Sequence, residues 1–438
     1  MDRKSIERIL TFGYMPHFPE RNILVGYAIY LIIGTALLAL PPAHRHDIAF
    51  VDNLFTAASA LSTTGLSTVD IGSAYSLAGQ IVILLLVQIG GIGYMTVCSY
   101  IINRTTRHPS LPTSRMLGAT VGVPAGMSLR GLVNNIVHFT LIFEAAGFVA
   151  LYAALRAADT PAAAWHALFL SVSSFCTAGF SLFSDSLCAF ADNPGVTVPV
   201  AVLSYAGAMG FIFMTDITDK LRRPHYRVSF TSKVILLVTA VLTVGGTALL
   251  AHDMDGGLMP AFFQTMSAMT TVGFNTVGLG GLAAGPLLVL CVIMFVGASP
   301  SGTGGGVKSS SVSAVWGYVV SRLGVRRRVT FLGREIPAAR VETALTTVIA
   351  YGLVLLAACV VLTYSEPYSL SESLFEATSA IGTVGLSTGI TAELSVTGKI
   401  VIITLMYIGR VGVLTLGTAL MARNRATRAT ASPADLAL

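Results

Sequence analysis

The sequence predicts an all-α polytopic membrane protein in which four repeated units surround one central pore. Three observations predict this fold class. Of the 438 residues, 54% are hydrophobic and only 11% are charged, whereas soluble domains carry about 25% charged residues. Eight apolar stretches approach the roughly 20 residues that a spanning helix needs. One motif also occurs four times, and self-similarity over a long period sets the architecture of a chain.

The motif reads FTAASALSTTGLST at 55–68, FLSVSSFCTAGFSL at 169–182, FQTMSAMTTVGFNT at 263–276 and FEATSAIGTVGLST at 375–388. Aligned without gaps, every copy keeps one Phe, one Ser, one Thr and one Gly at the same offsets. These are Phe55/Phe169/Phe263/Phe375, Ser59/Ser173/Ser267/Ser379, Thr63/Thr177/Thr271/Thr383 and Gly65/Gly179/Gly273/Gly385. One Thr-x-Gly alone is better read as a helix-packing glycine, but four copies in one register favour a shared role.

The eight apolar stretches fall in pairs around the four motifs. The pairs are Ile23–Leu40 with Ile81–Ile102, Leu132–Leu155 with Val196–Met214, Val234–Leu250 with an interrupted Pro286–Val319, and Ala344–Thr363 with Ile400–Ala422. Each unit is therefore a helix, a re-entrant motif and a second helix. We predict pore units at 22–104, 130–220, 231–320 and 340–422, between an N-terminal segment 1–21 and a C-terminal tail 423–438.

Basic residues predict the orientation. All but four of the 27 Lys and Arg fall in 1–21, 102–131, 219–233, 308–340 and 422–438, which lie on one side of the predicted spans. The positive-inside rule makes that side cytoplasmic. Both termini are then cytoplasmic, and the N-terminus does not resemble a removable signal peptide. A docking surface for a cytosolic protein is a second reading of the same basic residues.

The motifs are too short to span a membrane and suit re-entrant segments. Backbone that is not helical survives at membrane depth only where it is buried in protein or lines water. We therefore expect each motif to be a half-helix whose C-terminal dipole end lies inside the membrane, followed by an extended return. Backbone carbonyls on four such returns can replace the hydration shell of a cation. The predicted filter comprises Ser62, Thr63, Thr64, Gly65, Cys176, Thr177, Ala178, Gly179, Thr270, Thr271, Val272, Gly273, Gly382, Thr383, Val384 and Gly385.

A second set of small residues follows each motif, at Gly90-Gly91-Ile92-Gly93, Gly207-Ala208-Met209-Gly210, Gly297-Ala298-Ser299-Pro300 and Gly409-Arg410-Val411-Gly412. Small residues would let four helices approach the axis beneath the filter. Arg410 breaks the apolar stretch of the fourth unit, and a charge within a span usually faces the interior and marks an ion path. We predict that it limits cation passage. The other reading is an Arg paired with a buried acid, for which Glu144 is the candidate.

The third unit contains GASPSGTGGG at 297–306, which cannot continue a helix. We interpret it as a flexible intramembrane loop that gates the pore. The predicted gate comprises Gly297, Ser301, Gly302, Thr303, Gly304, Gly305, Gly306, Lys308 and Arg410. A nucleotide-binding P-loop is excluded because Val307 precedes Lys308 where such loops need Gly, and no strand precedes the segment.

Other functional classes receive little support from the sequence. The five cysteines include no CxxC pair, which argues against a disulfide framework or a zinc site. No set of residues resembles a catalytic site, so we predict that the chain is not an enzyme and binds no cofactor. Nucleic acid is a poor partner for so apolar a chain. Asp216 and Asp219 are expected to be solvated at a cytoplasmic helix end.

The four Thr-x-Gly registers, the GASPSGTGGGVKSSS loop and Arg410 resemble those of the Trk/Ktr/HKT superfamily of potassium transporters. With eight spans, the chain is most similar to the ion-translocating membrane subunit of bacterial Ktr systems. Two departures are that Cys176-Thr177 stands where relatives often have Cys-Asn, and that the loop reads SPSGTGGG instead of SPGSTGGG. Neither departure changes the predicted roles.

The resemblance implies potassium uptake across the cytoplasmic membrane, with potassium bound as substrate at the filter residues and sodium as a modulator. It also implies a homodimer in membrane lipid, with one pore per subunit, and a cytosolic ring of nucleotide-binding regulatory subunits that controls the gate. The alternative is the potassium-conducting subunit of an ATP-driven pump. The sequence leaves open whether transport is channel-like or coupled to sodium or protons, and which nucleotide regulates it.

Overall fold

The computed structural model describes residues 19–93, 129–223, 225–254, 257–325 and 328–421. Parts of four predictions lie outside these residues: most of the N-terminal segment 1–21, the end of the span Ile81–Ile102, most of the basic stretch 102–131, and the C-terminal tail 423–438.

The first two units repeat one order of elements: a long helix, a half-helix that carries the motif, and a second helix. In unit one these are α1 (Pro19–Leu38), α2 (Phe50–Ser62), the single turn α3 (Ile71–Ala74) and α4 (Leu77–Ile92). In unit two they are α5 (Leu129–Ala157), α6 (Ala163–Phe175) and α7 (Pro194–Arg222).

The last two units keep this order, but each has a second helix in two parts. Unit three comprises α8 (Phe230–Leu250), α9 (Leu258–Thr270), α10 (Ala284–Val296) and α11 (Ser309–Leu323). A short antiparallel hairpin follows, with strands β1 (Thr330–Phe331) and β2 (Arg334–Glu335). Unit four comprises α12 (Ala338–Ser365), α13 (Leu370–Ile381), α14 (Val396–Val411) and α15 (Val413–Met421). The predicted all-α fold of four repeated units is confirmed.

Within the described residues, five helices are long and apolar enough to cross a membrane, namely α1, α5, α7, α8 and α12. The pair α14 and α15 would be a sixth span, but it is bent by 90°. The remaining second helices, α4 and α10, are 16 and 13 residues long. The sequence therefore identified the apolar stretches and the interruption in unit three, but not the breaks at Gly210 within α7 and at Gly412 between α14 and α15.

The half-helices are short because the motif ends them. Helices α2, α6 and α9 have 13 residues each and α13 has 12. At about 1.5 Å per residue they are roughly 20 Å long, less than the ~30 Å hydrocarbon core. In the fourth unit the start of the half-helix is fixed by a capping box, in which Ser369 and Glu372 each accept the other's backbone N–H.

The motif phenylalanines join each unit to the one before it. Phe55, in unit one, packs in the apolar cluster built mainly by α12, α13 and α14 of unit four. Phe169 packs with unit one, Phe263 with unit two and Phe375 with unit three. All four side chains are buried. The repeated Phe therefore closes the four units into a ring.

Asp216 is buried, so the expectation that it would be solvated is wrong. Its carboxylate accepts hydrogen bonds from Tyr226 Oη at 2.7 Å, the Ser229 backbone N–H at 3.0 Å and Ser232 Oγ at 2.6 Å. The bond from Tyr226 to Asp216 raises the pKa of the Tyr226 phenol to about 12. Asp216 thus ties the end of α7 to the start of α8.

Candidate ion pathway

Each half-helix ends in the same backbone conformation. The motif threonines Thr63, Thr177, Thr271 and Thr383 have left-handed φ angles between 48° and 58°. Two residues later the motif glycines have φ angles of 95°, 67°, 84° and 96°. Left-handed φ is a genuine outlier for a β-branched residue such as Thr. Four such outliers at one register indicate a backbone shape imposed by the assembled units rather than by local preference.

The four motif glycines form a closed ring, which we call the glycine ring. A Cβ atom built on Gly65 would lie 2.4 Å from the Ala178 carbonyl oxygen of the next unit. The same construction brings Gly179 to 2.1 Å from Val272 O, Gly273 to 2.1 Å from Val384 O, and Gly385 to 2.0 Å from Thr64 O. Each unit therefore contacts the next through a glycine and a carbonyl, and the fourth returns to the first. The structure thus brings the four predicted filter segments together.

The serines of the motif act differently in different units. Ser59 Oγ accepts the backbone N–H of Gly65 at 3.0 Å, and Ser379 Oγ accepts that of Gly385 at 3.0 Å. The equivalent hydroxyls of Ser173 and Ser267 are buried and have no partner among the described residues. Among the described residues, the motif serine therefore bonds to the backbone of its ring glycine only in units one and four.

The four motif threonines mark one side of the glycine ring, which we call its lower side. Arg410 Nη1 donates to Thr63 Oγ1 at 3.0 Å, and Gly305 N donates to Thr271 Oγ1 at 3.0 Å. Thr177 Oγ1 lies 3.1 Å from Thr303 Oγ1. The Thr383 hydroxyl has no hydrogen-bond partner among the described residues. Arg410 and the loop of the third unit therefore engage three of the four threonines directly.

The glycine-rich loop, residues 297–308, is seated against the second helix of unit two. Helix α7 is interrupted at Gly210, where φ is 80°. Ser299 Oγ donates to the carbonyls of Ala208 at 2.8 Å and Met209 at 2.6 Å, which the break exposes. In return, Phe211 N donates to Ser301 O at 3.2 Å. The loop thus replaces hydrogen bonds that the broken helix cannot make within itself.

The loop also folds back on itself beneath the ring. Ala298 N donates to Gly305 O at 3.1 Å, and Lys308 N donates to Val296 O at 3.1 Å. The Lys308 ammonium donates to the carbonyl of Gly304 and lies 3.4 Å from that of Gly305. All of the predicted gate residues of the third unit therefore lie in one hydrogen-bonded turn between α10 and α11.

Arg410 lies beneath the glycine ring and bridges three units. Besides Thr63, its guanidinium donates to the Thr303 carbonyl at 2.5 Å and to the Gly90 carbonyl. It makes no ion pair within the described part of the chain. Glu144 instead lies beside Cys176, with Oε1 3.8 Å from Sγ. The suggested pairing of Arg410 with Glu144 is therefore wrong, and the partners of Arg410 are the Thr63 hydroxyl and the carbonyls of Gly90 and Thr303.

A cavity of about 350 Å³ lies on the lower side of the ring. Its lining includes Arg410, Lys308, the loop glycines 304–306 and the apolar side chains of Tyr27, Ile136 and Phe211. Two basic groups in a cavity next to four convergent half-helix C-termini place positive charge opposite partial negative charge.

The second helices of units two, three and four are interrupted at a glycine with positive φ, and α4 of unit one ends at one; only the interruption in unit three was predicted. The glycines are Gly93, Gly210, Gly297 and Gly412, with φ angles of 84°, 80°, 64° and 92°. By sequence, Gly297 aligns with Gly90, Gly207 and Gly409. By backbone conformation it instead matches the glycine three positions later in the other units, because that residue ends the helix. The Gly-x-x-Gly pairs were the available signal.

The seam between units four and one is closed by an ion pair that sequence reasoning also missed. Lys399 Nζ of α14 lies 2.6 Å from Asp52 Oδ1 of α2, and each side chain is only 15% exposed.

We expect Lys399→Met to lower the melting temperature of the purified protein. Removing one partner of a buried pair costs about 3–5 kcal/mol, and a partly exposed pair costs less. The double variant Asp52→Asn, Lys399→Met should recover most of the loss, because it leaves no lone charge. Arg328→Met, which breaks the exposed pair with Glu335, should change little. An unchanged melting temperature for Lys399→Met would remove the seam pair from the stabilising contacts.

Four re-entrant half-helices that converge on a closed ring of backbone groups define the chain as a pore-forming membrane protein. The sequence model of the TrkH family, described as a cation transport protein, matches residues 19–251 and 226–424. The chain belongs to this family.

Individual relatives cover nearly the whole chain. It is 36% identical over 409 residues to the Ktr system potassium uptake protein B of Vibrio alginolyticus, covering 90% of each sequence. It is 31% identical over 427 residues to the protein of the same name in Bacillus subtilis, covering 94% of this chain and 95% of the other. The crystal structure of the potassium transporter TrkH from Vibrio parahaemolyticus shares the fold, with a TM-score of 0.72, 20% identity, and coverage of 96% of this chain and 85% of that one.

Proposed function

We propose that this chain takes up potassium across the cytoplasmic membrane, with both termini in the cytoplasm. The observation that carries the proposal is the closed glycine ring. A Cβ atom built on each of its glycines would lie 2.0–2.4 Å from a carbonyl oxygen of the next unit. Such a ring can coordinate a dehydrated cation through backbone oxygens. Two relatives that match most of the chain are named potassium uptake proteins.

The chemistry of selection follows from the ring. Potassium sheds water when it enters, and carbonyl oxygens of the four returns take the place of that water. The half-helices point their C-terminal partial negative charge at the same place, which favours a cation over an anion. Because the contacts between units are made backbone to backbone, the width of the ring is set by glycine and would change with any side chain.

The glycine-rich loop and Arg410 form the gate of this pathway. Arg410 places a fixed positive charge next to Thr63 and spans from Gly90 to Thr303. A cation leaving the ring meets this charge and the loop carbonyls that it holds. Opening then requires that the loop leave its seat on α7 and that Arg410 exchange its partners.

A cytosolic nucleotide-binding subunit is the proposed controller of that gate. Two relatives carry the name of a Ktr system, which supports a multi-subunit assembly. Exposed arginines from the end of α11, through the hairpin, to the start of α12 offer that subunit a basic contact surface: Arg322, Arg328, Arg334 and Arg340. A homodimer in membrane lipid, with one pore per subunit, completes the proposal. Sodium modulation is supported by a relative from Enterococcus hirae named a potassium/sodium uptake protein.

The proposal is tested by expressing the full chain, with and without its regulatory partner, in a bacterial host that lacks its own potassium uptake. We expect growth at low potassium and uptake of radioactive rubidium, with potassium competing better than sodium. Protein that is present in the membrane but supports neither growth nor uptake would overturn the proposal.

We expect Ser299→Ala to raise uptake in the absence of the regulatory partner. This change removes the hydroxyl that donates to the Ala208 and Met209 carbonyls and holds the loop in the break of α7. Losing one or two buried hydrogen bonds costs about 1–3 kcal/mol, enough to raise the open population several-fold. Rubidium uptake into vesicles measures the effect. Deleting residues 301–306 from the loop should make uptake still less dependent on the regulatory partner.

Ser309→Ala is the matched control for this prediction. Ser309 directly follows the loop as the first residue of α11 and is equally buried, but its hydroxyl has no hydrogen-bond partner among the described residues. Its replacement should leave the partner-free uptake unchanged. Equal uptake in the two variants would show that the Ser299 hydroxyl does not hold the gate.

A further inference from the structure

Unit four holds its segment of the glycine ring with a buried carboxylate that the other units lack. The second position of the motif is Thr56, Leu170 and Gln264 in units one to three and Glu376 in unit four. Glu376 is 0% exposed. Because charged side chains are almost never fully buried unless they have partners, its contacts decide its role.

The carboxylate of Glu376 is bonded to the return strand of its own motif. It accepts a hydrogen bond from Ser387 Oγ, and Thr391 Oγ1 lies 3.1 Å from each of its two oxygens. The backbone of Thr388 also donates to it. These donors lie two, three and six residues after the ring glycine Gly385. Within the described residues the carboxylate makes no ion pair, so it is held by neutral donors alone.

This network crosses the turn between Ser387 and Thr391. Gly389 lies between the donors with a φ of 106°, and a built Cβ there would meet nothing within 4 Å. Within this turn, Gly389 N donates to Ser387 Oγ at 2.9 Å, and Thr391 Oγ1 lies 2.8 Å from Ser387 Oγ. The carboxylate fastens the chain on both sides of Gly389 to the half-helix α13. In unit three the equivalent Gln264 is buried with no partner for its amide among the described residues, so this anchor is specific to unit four.

The segment that Glu376 holds contacts the neighbouring units on both sides. The Val384 carbonyl meets Gly273 of unit three, and Gly385 meets the Thr64 carbonyl of unit one. A shift of this strand would therefore move two of the four contacts between units. We propose that Glu376 is a positioning residue for the filter, which sets potassium-over-sodium selectivity by fixing the unit-four carbonyls. This inference rests on the proposed function of the ring.

The test compares Glu376→Gln with Glu366→Gln. Glu366 is a second buried carboxylate, 7% exposed, which accepts the Ser395 backbone N–H at 3.1 Å and Ser395 Oγ at 2.5 Å. It caps the start of α14 and bonds no ring residue. We expect Glu376→Gln to lower the potassium-to-sodium ratio of transport about tenfold, as expected when charged hydrogen bonds become neutral ones. Glu366→Gln should keep the wild-type ratio even if it lowers stability.

Two milder variants keep the inference testable if Glu376→Gln does not fold. Ser387→Ala and Thr391→Val each remove one donor and leave the carboxylate in place, and each should lower the ratio by a smaller factor. The readouts are ion competition against rubidium uptake and the melting temperature of the purified protein. A wild-type ratio in all three folded variants would overturn the inference. Failure of the wild-type chain itself to take up rubidium would instead count against the proposed function.

Discussion

Gly65→Ser is expected to lower the potassium-over-sodium selectivity of transport about tenfold. A side chain at this position would place Cβ 2.4 Å from the Ala178 carbonyl oxygen, and φ there is 95°. The ring must therefore widen between units one and two to admit the new atoms. A tenfold loss corresponds to ~1.4 kcal/mol, within the roughly 1–3 kcal/mol that overpacking a well-packed site costs. Competition of potassium and sodium against rubidium uptake measures the change.

The other three ring glycines should tolerate serine less well. The built Cβ approaches the next carbonyl to 2.1 Å at Gly179 and Gly273 and to 2.0 Å at Gly385, compared with 2.4 Å at Gly65. We expect the serine variant of Gly385 to lose the most transport and that of Gly65 to keep the most. This order comes from crowding alone, since all four glycines have left-handed φ.

Gly257→Ser separates backbone strain from crowding. Gly257 precedes α9 with a φ of 74°, and a built Cβ there meets nothing within 4 Å. It shares the strain of the ring glycines without a facing carbonyl, so it should lower stability and leave selectivity unchanged. If Gly65→Ser and Gly257→Ser left selectivity equally intact while the protein folded, the glycine ring would not be the selective element.

The ring could be located from the sequence because its requirements are local and repeated. A half-helix followed by Thr-x-Gly contains both left-handed positions within three residues, and four copies distinguish this pattern from an ordinary packing glycine. The order of contact around the ring could not be predicted. It depends on which carbonyl meets each glycine, and those pairs lie about a hundred residues or more apart in the chain.

The features beneath the ring were harder to predict for the same physical reason. Gly93, Gly210 and Gly412 end or break their helices, but a single glycine costs a helix only ~1 kcal/mol and is common in membrane helices. Asp216 was expected to be solvated because its donors come from the next loop and helix. Glu376 had no signal beyond being one acid in an apolar motif. For both acids the deciding donors lie ten or more residues further along the chain.

Arg410→Ala is expected to raise potassium flux at least tenfold in the absence of the regulatory partner. A fixed unit charge about 4 Å from a passing cation costs ~4 kcal/mol at the effective dielectric of a protein surface. The carbonyl partners of Arg410 offset part of this repulsion. The change also removes the donors to Thr63, Thr303 and Gly90, so the glycine-rich loop loses its link to units one and four.

Arg410→Lys distinguishes the charge from the hydrogen bonds. Lys keeps the positive charge but replaces the planar fork of donors by one compact ammonium. It cannot reproduce at once the contacts that Arg410 makes through Nη1 and Nη2. If charge alone limits passage, the Lys variant should conduct like wild type. If Arg410 acts by holding the loop, the Lys variant should conduct like Arg410→Ala.

Arg156→Ala, which removes an exposed charge from the last turn of α5, should change neither flux nor regulation. Equal flux in Arg410→Ala and wild type would place Arg410 outside the ion path, despite its contacts with units one and three.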